Sequence, residues 1–108
     1  MGYLYYGAAR HQIEFDDRVL AHLQIVIAAK LRRGESMMLS WEHGVQNGSG
    51  RSMIWINAGT DLHFEFAGNR MPSINPAWIN ELAALGYSAH GLVVTSEGQL
   101  KPLDSPGF

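Results

Sequence analysis

Cysteine is absent from the 108 residues, and with it go disulfides, thiolate zinc sites and cysteine nucleophiles; the absence fits a reducing compartment. Lysine is scarce as well. Lys30 and Lys101 are the only two, and a formal net charge of −2 leaves no global field to draw the chain onto nucleic acid or an anionic membrane. Any such binding requires a local patch. No stretch approaches the roughly 18 consecutive apolar residues of a membrane span. The opening Met1-Gly2-Tyr3-Leu4-Tyr5-Tyr6 lacks the basic segment and apolar run of a secretion signal, and Tyr6 stands where myristoylation favours Ser or Thr. These absences predict a cytoplasmic protein with no membrane association.

What is present is a globular balance, 46% apolar and 17% charged residues, in a length that suits one core and not two. Tyr3-Leu4-Tyr5-Tyr6 and Gln12-Ile13-Glu14-Phe15 are β-prone runs around Gly7-Ala8-Ala9-Arg10, which reads as a hairpin. A helix follows over residues 17 to 33. Asp16 is its N-cap, Asp17 places negative charge in the first turn, and Phe15 can staple onto Leu20. Leu20, Leu23, Ile27 and Leu31 recur at helical spacing, widened by Val19 and Val26, until Arg32-Arg33-Gly34 supplies cationic last-turn residues and a terminating glycine.

Ser36 to Glu42 and Arg51 to Asn57 read as strands around the glycine-rich loop from His43 to Gly50, and Leu62-His63-Phe64-Glu65-Phe66 alternates as a half-buried strand. Ile74-Asn75-Pro76 opens a second helix with an N-cap and a proline at the first helical position; Trp78, Ile79, Leu82 and Leu85 carry it to Gly86. Gly91 to Thr95 is the last strand expected. The residues from Gly98 onward read as a flexible tail, which leaves 1 to 97 as the domain. The order β-β-α-β-β-β-α-β defines an α+β fold, a largely antiparallel sheet with two helices packed on one face.

The alternation of strand side chains then indicates what the uncovered face displays. With Leu62, Phe64 and Phe66 inward, His63 and Glu65 point outward; with Ile54 and Ile56 inward, Arg51, Met53 and Trp55 point outward. The strand from Ser36 admits either face, and placing Met37, Leu39 and Trp41 inward leaves Ser36, Met38, Ser40 and Glu42 outside. An outward set of Met38, Arg51, Met53, Trp55, His63 and Glu65 has the composition of a contact surface. A homodimer seam covers such a face most simply, and an unknown protein partner is the other occupant.

Other constellations carry less. Lys30-Leu31-Arg32-Arg33, with Arg51 and Arg70, suggests a phosphate grip for a nucleic-acid partner, with Trp55 as a stacking platform. Cations at a helix C-terminus are explained by the macrodipole alone, and Glu42 and Glu65 on the same face would repel phosphate. His11, His22, His43, His63 and His90 show no metal-ligand spacing, so no metal and no cofactor is expected. His63 with Glu65, and Glu42 beside His43, are the nearest approach to an acid–base pair. Gly44 to Gly50 lacks the Lys-Ser/Thr ending and the helix of a phosphate loop, and Ser40 and Ser49 have no nucleophile elbow. No catalytic residue is assigned, and an enzyme ranks behind an interaction module and a nucleic-acid-associated protein.

Gly2-Tyr3-Leu4-Tyr5-Tyr6-Gly7, Ile13-Glu14-Phe15-Asp16-Asp17-Arg18, Leu20-Ala21-His22-Leu23 and Lys30-Leu31-Arg32-Arg33-Gly34-Glu35-Ser36 resemble the opening of a group of uncharacterised small proteins from high-GC Gram-positive bacteria. Ser40-Trp41, Gly50-Arg51, Ile54-Trp55, Asn69-Arg70-Met71-Pro72, Asn75 and Trp78-Ile79 continue the likeness as far as Glu97. Members of that group are often labelled ATP-dependent DNA ligases. Adenylyl transfer in ligases uses a lysine in a Lys-x-Asp-Gly setting, whereas Lys30 precedes Leu31-Arg32-Arg33 and Lys101 precedes Pro102-Leu103-Asp104. The resemblance therefore implies a small domain without an established activity.

Overall fold

The computed structural model describes residues 1–42, 50–88, 91–95 and 97. Strand β1 (Gly2–Tyr6) and strand β2 (His11–Phe15) form the expected hairpin, and helix α1 runs over Asp17–Arg32. Strands β3 (Met37–Glu42), β4 (Arg51–Ile56) and β5 (Leu62–Glu65) follow, then helix α2 (Pro76–Leu85) and the two-residue strand β6 (Leu92–Val93). The element order is the one read from the sequence. Most of the expected loop, at 43–49, together with His43, Ser49, His90 and the expected tail at 98–108, lies outside the described residues.

Both helices begin where their caps dictate. The Asp16 carboxylate accepts a hydrogen bond from the Arg18 amide, and the Asn75 side chain accepts from the amides of Ala77 and Trp78. Gly34 closes α1 with a positive φ of 74°, the left-handed turn a terminating glycine supplies. The helices contact one another, and α1 buries Leu20, Leu23, Val26 and Ile27 in a core shared with Leu4, Ile13, Phe15, Met37, Leu39, Ile56, Trp78, Leu82 and Leu92.

The strands divide into two three-stranded sheets, ordered β2-β1-β5 and β4-β3-β6. All pairs are antiparallel except β3 with β6. The division originates between β4 and β5. Asn57 closes a tight turn, its side chain accepting from the Gly59 amide at 2.8 Å and its carbonyl from the Thr60 amide at 3.0 Å. The chain does not return along β4; the Gly7 amide donates to the Asp61 carbonyl, and β5 continues as the partner of β1. A direct tie between the sheets is the Tyr6 hydroxyl, which donates to the Trp55 carbonyl at 2.6 Å. Phe15 of the first sheet also meets Trp41 of the second edge to face, 5.8 Å between centroids.

Candidate functional site

Cross-strand register decides which side chains share a face. In the second sheet Met37, Leu39 and Trp41 pair with Ile56, Ile54 and Ser52, while Met38, Ser40 and Glu42 pair with Trp55, Met53 and Arg51. Met37, Leu39 and Ile56 are buried and Ile54 packs on the core, so the inward choice for residues 36–42 is the first set. The opposite face carries Met53 and Trp55, 52% and 51% exposed, with Met38 half-buried beside Trp55. Val93 of β6 lies alongside Ser40, and a shallow depression of about 200 Å³ runs between Ser40, Met53, Val93 and the ends of the face at Glu42 and Arg51. Glu42 and Arg51 stand opposite one another in the ladder, both exposed, and form no ion pair among the described residues.

His63 and Glu65 do not join this patch. The division of the sheets places them on the outer face of the first sheet, in register with Tyr5 and Tyr3. There the turn residue Arg10, held at a left-handed φ of 55°, lays its guanidinium over the Tyr5 ring at 4.4 Å. Its Nη1 donates to Nδ1 of His63 at 3.4 Å, and the His63 ring tilts against Tyr5 with centroids 5.3 Å apart. An imidazole accepting at Nδ1 carries its proton at Nε2, which faces Glu65 Oε1 at 4.0 Å. Gln12 donates to the Tyr5 hydroxyl at 3.3 Å. A depression of about 290 Å³ opens beside this group, lined by Tyr5, Gly7, Ala8, Arg10, Asp61, Leu62 and His63.

The arginines of the phosphate grip lie on three different elements: Arg32 and Arg33 at the end of α1, Arg51 at the start of β4, and Arg70 in the loop after β5. Arg33 is already engaged, its guanidinium on Glu35 at 3.1 Å and on the Tyr87 hydroxyl at 3.2 Å. The same contacts hold the Glu35 carboxyl below its ordinary range, the Arg33 guanidinium being the main cause. Lys30 is 1% exposed, its Nζ over the Tyr87 ring at 3.7 Å and 3.6 Å from Glu35, with no hydrogen bond. A lysine in that position is a packed structural cation and is not presented to a nucleotide.

Of the five histidines, His22 is wholly buried. Its Nδ1–H donates to the Arg18 carbonyl at 2.7 Å, its Nε2 accepts from the Asn75 amide at 2.9 Å, and its ring lies against Trp78 with centroids 4.4 Å apart. Both ring nitrogens are occupied in joining α1 to the cap of α2. Beside it, the two Glu97 oxygens accept from Nε and Nη2 along one edge of the Arg18 guanidinium, each at 2.7 Å, and Oε2 also accepts from the Asn75 amide group at 2.6 Å. Arg18 first and Asn75 second lower the Glu97 pKa to about 2. Among the described residues no three His, Asp or Glu side chains converge as a metal site requires, and no helix is long and apolar enough to cross a membrane.

Sequence reasoning singled out His63 and Glu65 but missed Arg10, Tyr5 and Asp61. The signal for Tyr5 was available, since Tyr3 and Tyr5 alternate with buried Leu4; the position of Asp61 depends on β5 joining β1, which nothing local specifies.

Two helices and two small three-stranded sheets, one antiparallel and one mixed, define an α+β module whose distinctive features among the described residues are its surfaces. The chain belongs to the family of the domain of unknown function DUF7882, whose model matches residues 1–97. No curated protein and no solved structure matches the chain.

Proposed function

We propose that the domain is a self-associating interaction module that uses the outer face of the β4-β3-β6 sheet. The supporting observation is Trp55, half exposed beside Met53 and Met38 on the outer sheet face, whereas Trp78 is 1% exposed. An exposed Trp–Met cluster with charges at its rim has the anatomy of an interface core. A second copy is the occupant that the charges favour. A two-fold contact is self-complementary, so Arg51 of one copy can meet Glu42 of the other, and the reciprocal pair forms by symmetry.

Size-exclusion chromatography with light scattering tests this directly, with absorbance followed at protein and nucleic-acid wavelengths. The expected result is a nucleic-acid-free dimer that Trp55→Glu converts to a folded monomer. Glu42→Arg should weaken the dimer, and adding Arg51→Glu should restore it, because the swapped charges again meet across the two-fold. A monomer at all concentrations sinks the reading. Co-eluting nucleic acid that salt removes would instead favour an arginine-based grip centred on Arg51, Arg32 and Arg70.

A further inference from the structure

On the other sheet, the depression beside the β1–β2 turn is lined by two charges of opposite sign, Arg10 and Asp61. Among the described residues they form no ion pair with one another, and the Asp61 carboxylate makes no hydrogen bond. The two charges are thus not spent on one another. Arg10 is oriented by its place over the Tyr5 ring and its bond to His63, and the Asp61 backbone is anchored by the bond its carbonyl accepts from Gly7. The walls between them are the Tyr5 ring, Ala8 and half-buried Leu62.

We infer that this depression is a binding site for a small zwitterion of the α-amino-acid type, its carboxylate on Arg10, its ammonium on Asp61, and a short apolar side chain against Tyr5 and Leu62. A simple anion is disfavoured by Asp61, and a simple cation by Arg10. A molecule carrying both charges about one carbon apart satisfies both. The volume of about 290 Å³ suits such a ligand, falling just below the roughly 300–1,000 Å³ of sites for drug-sized molecules. Stacking on Tyr5 fixes the guanidinium plane before the ligand arrives, and a fixed fork is what bidentate carboxylate recognition needs. The left-handed backbone of Arg10 fits the same picture: local strain in a non-glycine residue persists where the surroundings determine it. This site is independent of self-association, because it lies on the sheet that the proposed dimer does not use.

The test is a titration followed by amide chemical shifts in two-dimensional NMR, with L-leucine at millimolar concentrations as the probe. Two controls each lack one charge: 4-methylpentanoate has no ammonium and 3-methylbutylamine no carboxylate. Saturable shifts at Tyr5, Leu62 and His63 are expected with leucine, and binding of each control weaker by at least about tenfold. Arg10→Asn, which tolerates the left-handed backbone, and Asp61→Asn should each abolish the shifts while leaving the rest of the spectrum in place. Absence of saturable shifts with leucine would overturn the assignment. So would binding of 4-methylpentanoate equal to that of leucine, which would make the site a plain anion subsite, or leucine shifts that survive both substitutions.

Discussion

At the scale of single residues, much of the sequence's polar chemistry is spent on joining elements. Glu97 illustrates this with a measurable sign. Its pKa falls from 4.5 to about 2 because Arg18 and Asn75 hold the ionised form, so between those values the unfolded chain binds more protons than the folded one. Its contribution is present above pH 4.5 and is lost as the pH falls toward 2. Asp17, lowered by the amides of Gly68 and Ala67, acts in the same direction. Denaturation midpoints should therefore drop across that acid window in the wild type and drop less in Glu97→Gln. Gly86 supplies a second case. A Cβ there would overlap Lys30 Cε, so Gly86→Ala must displace a side chain that is already buried. The expected loss is about 1–3 kcal/mol by urea titration, and it should shrink in the background of Lys30→Ala, where the obstruction is gone.

At the scale of elements, the N-cap of α2 holds more than its helix. Asn75 caps α2, donates through its backbone to His22 and through its side chain to Glu97. Asn75→Ala should lose about 1 kcal/mol for the cap. It should also raise the Glu97 pKa, readable by carboxyl NMR titration. Elements of this kind were legible from the sequence because their signals are local: Asp16 and Asn75 as caps, Gly34 as a terminator, the alternation of Leu62, Phe64 and Phe66. The ends differ by a residue or so, α1 stopping at Arg32 and β4 at Ile56. The short β6 replaces the five-residue run from Gly91 to Thr95, since Leu92 and Val93 are the residues in register with β3 and the pairing ends at the bond from the Val94 amide to the Ser40 carbonyl. What local signals do not encode is which strand pairs with which. The outward orientation of Met53 and Trp55 follows from alternation, that of Met38 only from its register with Trp55, and their separation from His63 and Glu65 from the Asn57 turn and the Gly7–Asp61 bond.

At the scale of the whole molecule, two small sheets are joined by helices and by a few bridging contacts, so each bridge has a readable effect. Tyr6→Phe removes the hydroxyl that spans from β1 to Trp55 on β4 and should lower stability by about 1 kcal/mol in denaturant. If the Trp55 face closes a dimer, the melting temperature should rise with protein concentration in the wild type and be flat in Trp55→Glu, as mass action requires. The parallel pairing of β3 with β6 carries a consequence for biosynthesis. A strand made early, at Met37–Glu42, receives its second neighbour only when Leu92–Val93 has left the ribosome. Until then one edge of β3 is unsatisfied and Leu39 lacks its partner Leu92, which is the stage at which nascent chains associate wrongly. A chain arrested before residue 92 should therefore need a chaperone more than one that has released β6, since β6 is what covers the open edge of β3.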